Sequence, residues 1–135
     1  MIGRLHHLVV DSPDPRALAA FYSELLGLPI TYEADEWVVI AHATTASGIA
    51  FQLAPDLEPA RWPDPERPQQ FHLDVMVDDV QEAEGRVLSL GARRLDDDGD
   101  ARRVYADPSG HPFCLIPRPT WAPPINAVPL SSGQS

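Results

Sequence analysis

The stretch Phe71-His72-Leu73-Asp74-Val75-Met76-Val77-Asp78-Asp79 decides the fold. In an extended strand alternate side chains share a face, so His72, Asp74 and Met76 point one way and Leu73, Val75 and Val77 the other. One face is polar while the other reads as core, and the strand runs directly into an acidic helix start at Asp79. An earlier stretch repeats this plan: Arg4-Leu5-His6-His7-Leu8-Val9-Val10 is an apolar strand with a histidine, and it leads to Asp14. The offset that carries His7 to His72 also carries Asp14 to Asp79. Two copies of one unit is the economical reading.

The chain falls into order around that repeat. A first strand covers Gly3 to Asp11, and Asp11-Ser12-Pro13 breaks it. Asp14 before Pro15 is a strong helix start, because aspartate accepts from free amides and proline has no amide to leave unsatisfied at the first helical position. Leu18, Phe21, Tyr22 and Leu25 recur at helical spacing as a buried stripe, and Gly27 is placed to end the helix. Strands are expected at Ile30 to Glu33, Trp37 to Ala41 and Ile49 to Leu53, with Thr44-Thr45-Ala46-Ser47-Gly48 turning into the last of them. A proline-rich linker, 55–69, separates the units 1–54 and 70–117, and its Trp62 either docks on the core or covers a pocket.

In the second unit Asp79 and Glu82 read as a capping box for a helix to Leu90. Val80, Ala83, Val87 and Leu88 are its inward stripe and Gly91 its end. Short strands follow at Arg93 to Leu95, Arg103 to Ala106 and Pro112 to Ile116, the last two joined by Asp107-Pro108-Ser109-Gly110. The tail 118–135, rich in proline and then in serine, is expected to be flexible or to lie on a neighbour through Trp121 and Ile125.

Composition excludes several kinds of partner. The formal net charge is −10 and every basic residue is arginine, which leaves no extended basic surface for nucleic acid. Without lysine there is neither Schiff-base chemistry nor a lysine general base. No apolar run approaches the roughly 20 residues that span a bilayer, and no basic-then-apolar segment opens the chain, so a soluble cytoplasmic protein with no membrane partner is expected. Cys114, the only cysteine, cannot form an internal disulfide, in keeping with a reducing compartment.

The order strand, helix, three strands, given twice with a histidine on each leading strand, resembles the vicinal oxygen chelate superfamily. That superfamily includes glyoxalase I, the bleomycin-resistance proteins, fosfomycin-resistance transferases and extradiol dioxygenases. The carriers are His7 ahead of Asp14, Ala20-Phe21-Tyr22 with Leu25-Leu26-Gly27, the stretch His72 to Asp79, and Asp107-Pro108-Ser109-Gly110-His111-Pro112-Phe113. The resemblance spans Ile2 to Pro117 and is nearest to the glyoxalase-like and bleomycin-resistance-like single-domain members. It implies an α+β fold of two βαβββ units with half-open curved sheets, a ligand cavity between the units, and a homodimer.

In that superfamily a metal, where present, is held by one position on the first and one on the last strand of each unit. Carried onto this chain, these are His7, Gln52, His72 and Cys114. The glutamate common at a last-strand position is missing, which removes the anionic oxygen favoured by magnesium or manganese and the carboxylate base expected for glyoxalase-type isomerisation. His7, His72 and Cys114 remain a nitrogen and sulfur set suited to zinc or copper. The plainer reading is that all four are hydrogen-bonded pocket residues, with no cofactor at all. His6 and His111 read as surface residues.

Asp74 shares the face of His72. It is a candidate general base if the cavity desolvates it, or it orients the histidine or pairs with an arginine. Trp37, Phe51, Phe71, Tyr105 and Phe113 are candidates either for an aromatic cavity wall or for the core. Three functions follow: a metal-free protein binding a small apolar or aromatic metabolite or natural product, a metal-dependent lyase, isomerase or dioxygenase, and a metal-free enzyme moving a proton with Asp74, His7 or His72. The missing glutamate favours the first.

Overall fold

The computed structural model of the protein describes residues 1–59, 64–66, 72–95 and 103–125. The first unit runs β1 (His7–Ser12), α1 (Pro15–Leu26), β2 (Ile30–Glu33), β3 (Trp37–Ile40) and β4 (Gly48–Leu53). The second runs β5 (Leu73–Val77), α2 (Val80–Ser89), β6 (Arg93–Arg94), β7 (Arg103–Ala106) and β8 (Pro112–Pro117). Each unit builds one open four-stranded sheet on the same plan, ordered β1-β4-β3-β2 and β5-β8-β7-β6. In both, the first strand pairs parallel with the last and the remaining pairings are antiparallel. The helix is the crossover that carries the chain from one sheet edge to the other.

Both helices begin at the expected aspartates. Asp14 accepts from the Ala17 amide at 3.2 Å, and Asp79 accepts from the amides of Gln81 and Glu82 at 3.0 and 3.1 Å. These bonds satisfy donors that have no partner inside the helix. Gly27 closes α1 at φ 69°, a left-handed conformation that side chains disfavour.

Strand alternation sends Val38, Ile40 and Phe51 of the first sheet and Val75, Phe113 and Leu115 of the second into one core. Phe113 joins the units there, with its ring 5.7 Å from Phe21, 6.3 Å from Tyr22 and 5.6 Å from Tyr105. Tyr22 in turn stacks on Phe51 at 5.7 Å. Helix α1 of the first unit therefore buries its aromatic face against a strand of the second, and each such ring stabilises the fold by about 2–3 kcal/mol relative to exposure.

Several boundaries differ from expectation. Pairing of β1 begins at His7, not Gly3, because its register partner β4 starts at Gly48. Trp121 is 78% exposed among the described residues. Asp78 holds the described part of the tail instead, accepting from Arg118 Nε at 2.7 Å and from the Ile125 amide at 3.1 Å. Trp62, Phe71 and residues 126–135 lie outside the described residues, and so do the expectations placed on them. Among the described residues no helix is long and apolar enough to cross a membrane.

Candidate functional site

Each sheet has a face turned away from the shared core. On the first, register aligns Asp11 with Gln52 and Trp37, and Val9 with Ala50 and Val39. On the second, Asp74 of β5 and Val104 of β7 flank Cys114 of β8. Paired residues on adjacent strands present their side chains to the same face, about 4.8 Å apart.

A hollow of about 530 Å³ lies against the first sheet, lined among others by His7, Thr31, Tyr32, Trp37, Val39 and Ala46. Tyr32 and Trp37 give it an aromatic wall. His7 Nδ1 accepts a hydrogen bond from the Gly48 amide at 3.0 Å, so the neutral ring carries its proton on Nε2. Desolvation, and after it the neighbouring His6, holds the His7 pKa below the ordinary histidine value, and the ring is neutral at pH 7. His7 is thus a hydrogen-bond donor through Nε2.

Glycine at position 48 permits this arrangement. A Cβ there would overlap the Ile40 carbonyl oxygen and stand 2.7 Å from the Ala41 Cβ.

The second sheet carries a different chemistry. His72, Asp74 and Cys114 each offer one donor atom, and the three atoms lie within 4.8 Å of one another. His72 Nε2 is 3.1 Å from Asp74 Oδ1. Cys114 is buried, while the His72 and Asp74 side chains keep 29% and 45% of their surface exposed. A tetrahedral zinc with bonds of about 2.0–2.3 Å needs ligand atoms roughly 3.3–3.8 Å apart, so small side-chain adjustments would close the three around an ion. The residues fit a zinc-type ion.

Of the positions expected to hold a metal together, the structure brings His72 and Cys114 near each other. His7 is not in that group and stands on the other sheet, as does the exposed Gln52. Asp74 joins the group in their place. Of the alternatives for Asp74, the geometry matches the contact with the histidine rather than a desolvated base: its Oδ1 stands 3.1 Å from His72 Nε2 and nearly half of its side chain meets solvent. Trp37 does line the hollow.

Phe51 and Tyr105 take the other alternative and are core residues, both fully buried. Phe51 is adjacent to Gln52 on β4 and must face the opposite way. Tyr105 faces α2, where its hydroxyl donates to Glu84 at 3.1 Å. Burial, with the Glu84 carboxylate, pushes the Tyr105 hydroxyl up to about 12.

A polar network at the junction of the units was not foreseen in the sequence. Buried Asp107 accepts from the Tyr22 hydroxyl at 2.7 Å, from the amides of Ser109 and His111 at 2.9 and 3.0 Å, and pairs with His111 Nδ1 at 3.0 Å. The hydroxyls of Ser12 and Ser109 meet at 2.9 Å. His111, expected at the surface, is held by this carboxylate with 28% of its side chain exposed. The available signal was local: an aspartate opening Asp-Pro-Ser-Gly accepts from the amide two residues on.

A family model for the glyoxalase-like domain matches residues 7–116. Among solved structures, a glyoxalase/bleomycin resistance protein/dioxygenase family enzyme from Burkholderia phytofirmans PsJN superposes with a TM-score of 0.64 at 19% identity, covering 85% of this chain and 98% of its own. A glyoxalase-related enzyme from Fulvimarina pelagi gives 0.63 at 19% identity, covering 94% and 96%. The fosfomycin resistance protein FosX from Mesorhizobium loti gives 0.59 at 16% identity, covering 90% and 97%. Identities this low speak to the fold alone, and no curated protein matches in sequence. The duplicated unit, the paired open sheets and the matched family model together show that the chain belongs to the glyoxalase-like domain family of the vicinal oxygen chelate superfamily.

Proposed function

We propose that the protein binds a small, largely apolar or aromatic metabolite or natural product in the hollow on its first sheet, which, among the described residues, those of the first unit alone line. The hollow on the first sheet carries this reading: it combines the rings of Tyr32 and Trp37 with a neutral His7 that has one N–H to donate. Such a site takes a flat apolar molecule with a single acceptor, such as a ring carbonyl. A thermal-shift and mass-spectrometry screen of metabolites and aromatic antibiotics, run with and without added metal, tests it. A ligand at 100 times its dissociation constant raises stability by about 2.7 kcal/mol. Trp37→Ala is expected to weaken binding about tenfold, the value of about 1.5 kcal/mol of ring contact. Failure of every apolar and aromatic compound, or indifference to Trp37→Ala, sinks this reading.

A two-fold homodimer accompanies the proposal. Val9 and Tyr32 stand exposed on the first unit beside sheet edges that another chain can cover. Light scattering at micromolar concentration is expected to give twice the chain mass of 14.8 kDa, and a monomeric particle would remove the dimer.

The cluster His72, Asp74 and Cys114 favours a second reading, a metal-dependent lyase, isomerase or dioxygenase. When bound, an ion there supplies Lewis acidity toward a substrate oxygen. The chain's own contribution is positional: Asp74 Oδ1 stands 3.1 Å from His72 Nε2, and the buried Cys114 closes one side of the group while the other stays open.

A further inference from the structure

We infer that a metal in this protein is a zinc-type ion held by His72, Asp74 and Cys114 within the second unit, with Asp74 supplying the carboxylate that Gln52 and Cys114 do not. The inference rests on the metal-dependent reading and specifies its ligands. Its first support is register. Asp74 and Cys114 are Cα partners on the parallel strands β5 and β8, so the sheet itself holds carboxylate and sulfur side by side. His72 lies two residues before Asp74 and shares its face by alternation.

The second support is spacing. His72 Nε2 and Asp74 Oδ1 stand 3.1 Å apart, close to one edge of a zinc tetrahedron, so the same pose serves a hydrogen bond without an ion and a ligand pair with one. The third is the state of His7. Its Nδ1 is taken by the Gly48 amide and its Nε2 bears the proton, so neither ring nitrogen offers a free lone pair.

The donor set then selects the ion. One imidazole, one carboxylate and one thiolate suit zinc or cobalt(II), whereas magnesium and manganese favour oxygen donors. Three protein ligands with an exposed side leave a position open to solvent or substrate, the arrangement of reactive rather than structural zinc sites.

The test uses the full-length protein stripped with a chelator and titrated with cobalt(II), read by absorption, with zinc affinity taken from competition. One equivalent of cobalt is expected, with a thiolate-to-cobalt charge-transfer band in the near ultraviolet that zinc abolishes and magnesium does not. Cys114→Ser is expected to lose the band. Asp74→Asn, at an exposed position that leaves the core untouched, is expected to weaken zinc binding by about tenfold or more, and His7→Ala to leave it unchanged. Cobalt binding that survives in Asp74→Asn but is lost in His7→Ala would overturn the ligand assignment and leave the metal reading standing. Absence of stoichiometric binding by any of these ions would overturn both, whatever the organic-ligand screen shows.

Discussion

Replacing Asp107 by alanine is expected to destabilise the protein by about 3 kcal/mol and to lower its melting temperature by roughly 10 °C. The carboxylate has no solvent-exposed side-chain surface, yet it receives the Tyr22 hydroxyl, two backbone amides and the His111 ring. Removing it strands these donors where water reaches few of them. Burial first, and then the adjacent Asp107 carboxylate, pushes the Tyr22 pKa far above the ordinary tyrosine value, so the phenol remains a donor across the accessible pH range.

Tyr22→Phe removes one of the four bonds and is expected to cost about 1–1.5 kcal/mol. Because both substitutions break the same contact, the double variant should fall short of the sum by about 1 kcal/mol. Thermal unfolding of the three variants followed by circular dichroism decides this. An Asp107→Ala protein melting within about 2 °C of the parent would refute the account of the junction.

Gly48→Ala carries the other large effect, about 3 kcal/mol of overpacking. The added methyl meets the Ile40 carbonyl oxygen and the Ala41 Cβ, which belong to or border the neighbouring strand rather than the end of a flexible side chain. Relief requires β3 and β4 to part at that end, and the Gly48 amide then leaves His7 Nδ1. Ligand affinity at the hollow is expected to fall together with stability.

Gly85→Ala is the control. It lies within α2 with nothing inside 4 Å of a new Cβ, and should stabilise the protein by about 0.5–1 kcal/mol through helix propensity. Urea midpoints moving in the same direction for both variants would contradict the steric argument.

The fold was legible because its signals were local and repeated. His7 with Asp14 and His72 with Asp79 marked the two units, and both aspartates cap the helices they were expected to open. The site was legible only where a single rule sufficed. Alternation alone placed Asp74 beside His72. Applied to Phe51 and Gln52, which are adjacent, the same rule shows that both cannot line one cavity. What alternation does not reveal is which strands meet. The nearness of Asp74 to Cys114 depends on a parallel pairing across the whole second unit, and the bond from Tyr22 to Asp107 joins residues of different units. Contacts of that range follow from topology, which spacing along one strand does not encode.

The parallel pairing of first and last strands has a consequence for ancestry. Since β1 and β4 run side by side in the same direction, as do β5 and β8, the chain enters each sheet at one end and leaves at the other. A tandem gene duplication can therefore append a complete sheet downstream without inserting a strand into the existing one. Neither sheet borrows a strand from its twin, so a substitution in one leaves the strand pairing of the other whole. In the present chain the two units differ at this point: one surrounds its leading-strand histidine with a glycine and an aromatic wall, the other with a carboxylate and a thiol.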